Sequence, residues 1–287
     1  IAGEANSVVT VLDGHAMAMQ GRAGVALGIA AIGSFVAGTV ATVAVAAIGS
    51  PLADLAVSFS AADYFSLMVM GLVFAVVLAH GSVLKAIAMI LVGVGLSTVG
   101  TDLATAGQER LTFGIQFLVD GIDFSVLAMG LFGLGEILRN LDQPEGRGTV
   151  AGTIGRLLPG RDDLRRSLGP ILRGTALGSA LGILPGSGAV LSPFASYSLE
   201  KKIAREPERF GKGAIEGVAG PEAANNAAAQ TSFVPLLTLG LPASAVMALM
   251  VGAMTLQGIS PGPQVITARP DLFWGMIVSM WIGNVML

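Results

Sequence analysis

The 287 residues are 53% hydrophobic and only 12% charged, where a soluble domain carries roughly a quarter charged residues; the chain therefore reads as one that lives in lipid. The net charge of −3, with no basic tract interleaved with aromatics, excludes a nucleic-acid partner. Cysteine is absent, which removes disulfides, thiolate metal sites and cysteine nucleophiles together.

Four apolar segments, at about 24–48, 64–79, 83–100 and 119–138, are long enough to cross about 30 Å of hydrocarbon as helices. Only the tight turn His80-Gly81-Ser82 separates the second from the third, so those two form an antiparallel pair. A polar linker, 139–173, follows with seven arginines, Arg139 to Arg173, and a second basic stretch, 200–212, holds Lys201, Lys202, Arg205, Arg209 and Lys212. Basic loops mark the cytoplasmic side of a membrane protein.

Between those two basic stretches lies an apolar segment, 174–199, whose ends are then on the same side. Its middle carries Pro185-Gly186-Ser187-Gly188, the helix breakers that a reversal requires. The residues from Gly174 to Leu184 reach about 16 Å as a helix, close to the bilayer midplane. A re-entrant hairpin is expected there. The segment 222–257 exceeds one ordinary span and is interrupted at Gly240-Leu241-Pro242, which predicts two half-helices meeting near the middle of the membrane. A last span starts at 272. With this topology, every Lys and Arg except Arg110 and Arg269 falls on one face.

The chain begins at Ile1 rather than Met and stops inside the apolar run 272–287, so it is expected to be a piece of a longer protein. It also echoes itself. Ala16-Met17-Ala18-Met19-Gln20-Gly21 resembles Ala253-Met254-Thr255-Leu256-Gln257-Gly258, and the topology puts the two glycines on opposite sides, as an inverted repeat does. The expected fold is an all-α polytopic membrane protein: an inverted-repeat secondary transporter with a re-entrant hairpin and broken helices. Residues 1–138 would close the first repeat and 174–287 would begin the second.

Several stretches resemble the large membrane subunit of the tripartite tricarboxylate transporters, the TctA type. They include Leu12-Asp13-Gly14-His15-Ala16-Met17 with Gln20-Gly21-Arg22; Leu111-Thr112-Phe113-Gly114; the Leu-Pro-Gly hairpin; and Ser196-Tyr197 ahead of Glu200-Lys201-Lys202. The run from Pro207-Glu208-Arg209-Phe210-Gly211 through Asn225-Asn226 to Pro261-Gly262-Pro263 is the most specific. The resemblance implies a secondary symporter in the bacterial inner membrane, working with a small membrane subunit (TctB type) and a periplasmic solute-binding protein (TctC type) on citrate and related carboxylates. It implies Na+ or H+ as coupling ion and no other cofactor. It also implies an earlier Leu-Pro-Gly hairpin ahead of Ile1. Ala2-Gly3-Glu4-Ala5, Pro221-Glu222-Ala223 and Pro242-Ala243-Ser244 stand where the family usually has Pro-Gly-Thr-Pro, Pro-Glu-Ser and Pro-Gly-Ser.

The candidate substrate-binding residues are Gly186, Ser187 and Gly188 at the hairpin tip, Pro242 and Ser244 at the break, Asn225 and Asn226, and Gly3 and Glu4 near the start. Helix N-termini can face an anion with free N–H groups, and carboxamides offer both donors and an acceptor. Asn225, Asn226, Glu222 and Gly240 are the candidate coupling-ion residues. Each has a structural alternative: the asparagines could bridge packed helices, Glu222 could be a solvated interfacial carboxylate, and Asp13, a weaker candidate, could cap a helix. No catalytic or metal-ligating set is expected. An intramembrane serine protease fails because position 185 is Pro and neither His relates to Ser187; a passive anion channel is the remaining competitor.

Overall fold

The computed structural model describes residues 5–77, 82–102, 108–123, 126–127, 129–142, 156–184 and 188–286. Helices dominate. A 3-10 turn, Ala5–Ser7, leads into α1 (Val8–Met19), followed by α2 (Ala23–Val57), α3 (Ala61–Val77) and α4 (Val83–Ser97). Outside the helical expectation is a short antiparallel ribbon, β1 (Gly100–Asp102) with β2 (Gln108–Arg110), closed by an Arg110–Asp102 ion pair. The expected span at 119–138 is not one α-helix: residues 119–123 are non-helical, Met129–Leu134 is a π-helix, and α5 covers Gly135–Asp142.

The second half consists of α6 (Arg161–Gly182), α7 (Gly188–Ile203), α8 (Glu216–Thr231), α9 (Phe233–Leu239), α10 (Ala245–Leu256), α11 (Pro263–Ala268) and α12 (Pro270–Met286). Among the described residues one stretch, Ala23–Gly49 in α2, is long and apolar enough to cross a membrane by itself, while α1, α4 and α10 are shorter apolar helices. The α3–α4 pair touches little else and exposes Phe65, Val73, Leu84, Met89 and Leu91. So much continuous exposed apolar surface suits lipid and not water.

The core is built on α8, against which α6, α7, α2 and α1 all pack. Its composition explains why. A β-carbon on Gly174, Gly178 or Gly182 of α6 would overlap the carbonyl oxygens of Gly220, Ala224 and Ala228 respectively. Small residues four apart on both helices thus form a seam in which backbone meets backbone, the arrangement that dispersion favours where no hydrophobic effect drives helices together. Both residue series ascend together, so α6 and α8 run parallel. On another side of α8, Ala219, Ala223 and Ala227 meet Ala30, Ala37 and Ala41 of α2.

α6 and α7 form an antiparallel hairpin. Arg173 and Glu200, at its open end, make a two-point ion pair: Nε donates to Oε1 at 2.8 Å and Nη2 to Oε2 at 2.7 Å. Hydrogen bonding to this carboxylate raises the Arg173 guanidinium above its ordinary value. Other charged contacts gather at the same end. Arg22 bonds Asp163 at 2.6 Å, Arg166 bonds Glu216 at 2.8 Å, and Gln20 Nε2 donates to the Lys212 carbonyl at 2.8 Å.

The internal echo extends beyond the six residues that show it in sequence. α1 and α10 each have twelve residues, each follows a serine (Ser7, Ser244), and each stops at a glutamine and a left-handed glycine. The caps match bond for bond. Gln20 N–H donates to Ala16 and Met17 carbonyls as Gln257 does to Ala253 and Met254; Arg22 and Ile259 each donate back at 2.9 Å, to Met17 and Met254. Gly21 has φ 77° and Gly258 φ 70°.

Candidate functional site

The α7 start, the α1 start and the middle of α8 come to one depth. α8 runs inward from the charged end. Gly182 meets Ala228 and Thr231, and Ser192 Oγ of α7 donates to the Ala224 carbonyl at 3.3 Å, so Gly188, one turn earlier, lies level with Ala228. α1 runs the other way: Gln20 meets Gly213 while Gly14 meets Val218. Seven residues further, roughly 10 Å, Ser7 reaches the level of Asn225, and the Ala5–Ser7 turn packs on both α7 and α8. The N-termini of α1 and α7, the positive ends of two helix dipoles, therefore sit within about one turn in depth of Asn225.

Asn225 is 7% exposed, and its Oδ1 has no hydrogen-bond partner. A carbonyl-type oxygen left without a donor in a buried site costs about 1–3 kcal/mol. Asn226, next along α8, turns to α2. Its Nδ2 donates to Ser34 Oγ at 2.8 Å and to the Glu222 carbonyl at 3.1 Å, and lies 3.4 Å from Glu222 Oε1. Ser34 Oγ is also 3.4 Å from that carboxylate oxygen. Glu222 is 7% exposed, so it is a buried carboxylate and not a solvated interfacial one. Glu222 and Asn226 share a helix face because they are four residues apart. Ser34, a residue that sequence reasoning missed, completes this cluster from the largely apolar α2.

The break lies elsewhere. α9 ends in left-handed Gly240 (φ 71°), where a β-carbon would come 3.0 Å from the Pro261 carbonyl, and Leu241 N–H donates back to Pro235 at 3.2 Å. Pro242 is half-buried in the linker, and Ser244 caps α10 by accepting from Met247 N at 3.3 Å. Helix begins at Glu216 rather than 222, and Gly240 is fourteen residues beyond Asn226, roughly 21 Å along a helical path. Gly188, Asn225, Asn226 and Glu222 lie at neighbouring depths along α8, whereas Gly240, Pro242 and Ser244 stand about four turns past Asn226. Gly186 and Ser187 of the tip, with Gly3 and Glu4, lie outside the described residues.

Asp13 has a different role from ligand binding. It is fully buried, and its Oδ1 accepts from the N–H groups of Gly211 (2.9 Å), Gly213 (2.7 Å) and Ala214 (2.8 Å), while Oδ2 accepts from the Tyr197 hydroxyl at 2.9 Å. The carboxylate caps the segment ahead of α8 rather than its own helix and ties α1, α7 and α8 together. Beside it, at the charged end, a cavity of about 540 Å³ is lined by Arg166, Arg173, Arg205 and Arg209 with Glu200 and Glu216.

A known family matches this architecture: the profile described as "Tripartite tricarboxylate transporter TctA family" covers residues 1–287. An uncharacterized 52.8 kDa protein in the TAR-I ttuC′ 3′ region of Agrobacterium vitis is 58% identical over 285 residues, which is 99% of this chain and 57% of that protein. A second uncharacterized protein, from the TAR-II ttuC′ 3′ region of the same organism, is 71% identical over 110 residues, 38% of this chain and 46% of that protein. The chain thus spans about half the length of the curated relatives it matches. No solved structure matches it. With the family profile covering every residue, the chain belongs to the tripartite tricarboxylate transporter TctA family.

Proposed function

We propose that the protein is the large membrane subunit of a cation-coupled symporter that imports tricarboxylates or related organic acids. It would sit as a multi-pass protein in the bacterial inner membrane, and a TctB-type small subunit and a TctC-type periplasmic binding protein would serve it. The family is one of transporters, which disfavours the enzyme reading. The observation that carries the mechanism is the depth match: two helix N-termini and the Asn225–Asn226 pair converge about midway along α8. A desolvated carboxylate needs donors, and helix N-termini supply them without a buried fixed cation. No Lys or Arg occurs between Arg173 and Lys201 or between Lys212 and Arg269, so this half offers no cationic clamp.

The Glu222, Asn226 and Ser34 oxygens, together with Asn225 Oδ1, provide the hard ligands for a coupling cation. Transport would then work by alternating access, with the α6–α7 hairpin as a re-entrant element and α1 and α10 as inverted-repeat counterparts. The matched caps of α1 and α10 support that relation. The arginine cavity lies at the end where substrate would leave, which supports a cytoplasmic assignment under the positive-inside rule.

The test is uptake by the full-length protein with its binding protein in proteoliposomes, across di- and tricarboxylates, with Na+ varied at fixed pH and pH varied at fixed Na+. Accumulation against a gradient that collapses with one cation is the expected result. Downhill flux indifferent to both cations would make the protein a channel and end the symport reading.

A further inference from the structure

The crossing of α12 over α2 carries a second polar cluster that the site above does not use. Asn284 is 3% exposed, and its Nδ2 donates to the Phe35 carbonyl at 2.9 Å and to Thr39 Oγ1 at 3.0 Å. A main-chain carbonyl only accepts, so this bond fixes which end of the carboxamide is nitrogen. The oxygen is then held against Gly38, in the space that a β-carbon there would occupy, and it has no hydrogen-bond partner. One turn on, and on the same face of α2, Thr42 is fully buried and its Oγ1 is also without a partner. Residues four apart on a helix bring their β-carbons to about 5–6 Å. Both unpartnered oxygens therefore lie on one face of α2, one turn apart, and the carboxamide oxygen fits against the helix because position 38 has no side chain.

We propose that Asn284 Oδ1 and Thr42 Oγ1, one turn apart on this face of α2, are two of the ligands of a binding site for one sodium ion. The donor set selects the ion. Both ligands are neutral hard oxygens, which suit an alkali cation and not a soft transition metal. They bring no carboxylate to balance a divalent charge. Neither a carboxamide nor an alcohol takes up a proton in the physiological range, so this site cannot serve H+. Ser34, one turn before Gly38, belongs to the Glu222 cluster, so one face of α2 would line two cation sites in succession. The proposal rests on the cation-coupled reading and makes Na+ the coupling ion, with a second Na+ offsetting more of the substrate's charge.

The experiment uses the purified full-length protein, titrated with NaCl against choline chloride at constant ionic strength. Thermal stability reads binding alone and proteoliposome uptake reads coupling. Wild type should gain Tm with Na+, and its uptake should show a Hill coefficient approaching about 2, the number of sites. Thr42→Val, nearly isosteric, and Gly38→Ala, which displaces the carboxamide, should bring that coefficient to about 1. They should also raise the half-saturating Na+ at least about tenfold, the scale on which loss of support weakens a metal site. Thr42→Ser, which keeps the oxygen, should behave as wild type; Tm in choline checks that each variant is folded. Unchanged Na+ dependence of both Tm and uptake in Thr42→Val and Gly38→Ala would mean that a water or nothing occupies the crossing, and would overturn the proposal. If uptake ignores cations yet the Na+ shift in Tm is lost in Thr42→Val, the symport reading fails and the Na+ site stands.

Discussion

Gly178→Ala is the sharpest probe of what holds the hairpin in place. The added methyl would overlap the carbonyl oxygen, Cα and carbonyl carbon of Ala224, all of them backbone atoms of α8 that cannot swing aside. The only relief is for α6 and α8 to part, which also loosens the neighbouring contacts at Gly174 and Gly182. Overpacking of this kind costs about 1–3 kcal/mol, and a backbone obstacle belongs in the upper half of that range. Alanine's better helix propensity returns about 0.5–1 kcal/mol, leaving a net loss of roughly 1–2 kcal/mol. At about 2–4 °C per kcal/mol for chains of this order of size, Tm of the detergent-purified protein should fall by roughly 2–8 °C. Gly275→Ala in α12 is the control, because its β-carbon would meet nothing within 4 Å; propensity alone should make it neutral or slightly stabilising. A Gly178→Ala protein that melts at or above the wild-type temperature, or an equal fall in both variants, would refute the seam.

Asp13→Ala should prevent stable accumulation in the membrane, since it orphans the buried N–H groups of Gly213 and Ala214 at about 1–3 kcal/mol each, along with the part-buried Gly211 N–H and Tyr197 hydroxyl; Tyr197→Phe should accumulate normally, and membrane immunoblots compare the two. Arg173→Gln should lower Tm more than Arg166→Gln, because the carboxylate it leaves behind, Glu200, is 2% exposed against 22% for Glu216, and a lone buried charge costs far more than a wet one. Cysteines placed singly at Arg173 and Lys201 should react from the same, cytoplasmic, side with an impermeant reagent; labelling from opposite faces would make 174–199 a spanning segment.

Much of this was legible because helix breakers are strong local signals. Gly240 announced where α9 stops, and the carboxylate and carboxamides of Glu222, Asn225 and Asn226 stand out in an apolar run. The start of the helix that leads to the break was not legible: the expected helix opens at 222, whereas α8 opens at Glu216. Gly and Pro weaken helices, yet Gly217, Gly220 and Pro221 lie inside α8, where small size matters more than propensity: a β-carbon on Gly220 would strike Ser196 Oγ of α7, and one on Gly217 the Asp13 carboxylate. Ser34 gave no sequence signal, being one of several hydroxyls scattered through a largely apolar helix. Asp13 was open to either role, because its partners on Gly211, Gly213 and Ala214 are about 200 positions away in the chain. The 119–138 span failed for a related reason: hydropathy shows that a segment is apolar, not that its backbone is regular.

The measurement that tests the account most directly is reciprocity of binding in the purified full-length protein. The account predicts that saturating cation tightens carboxylate binding by some factor, and that saturating carboxylate tightens cation binding by the same factor, as linkage demands of sites that share charge. Asn225→Ala and Asn226→Ala should reduce that factor while the protein remains folded in the membrane. Carboxylate affinity independent of any cation in the wild type, or a coupling factor unchanged in both asparagine variants, would contradict it.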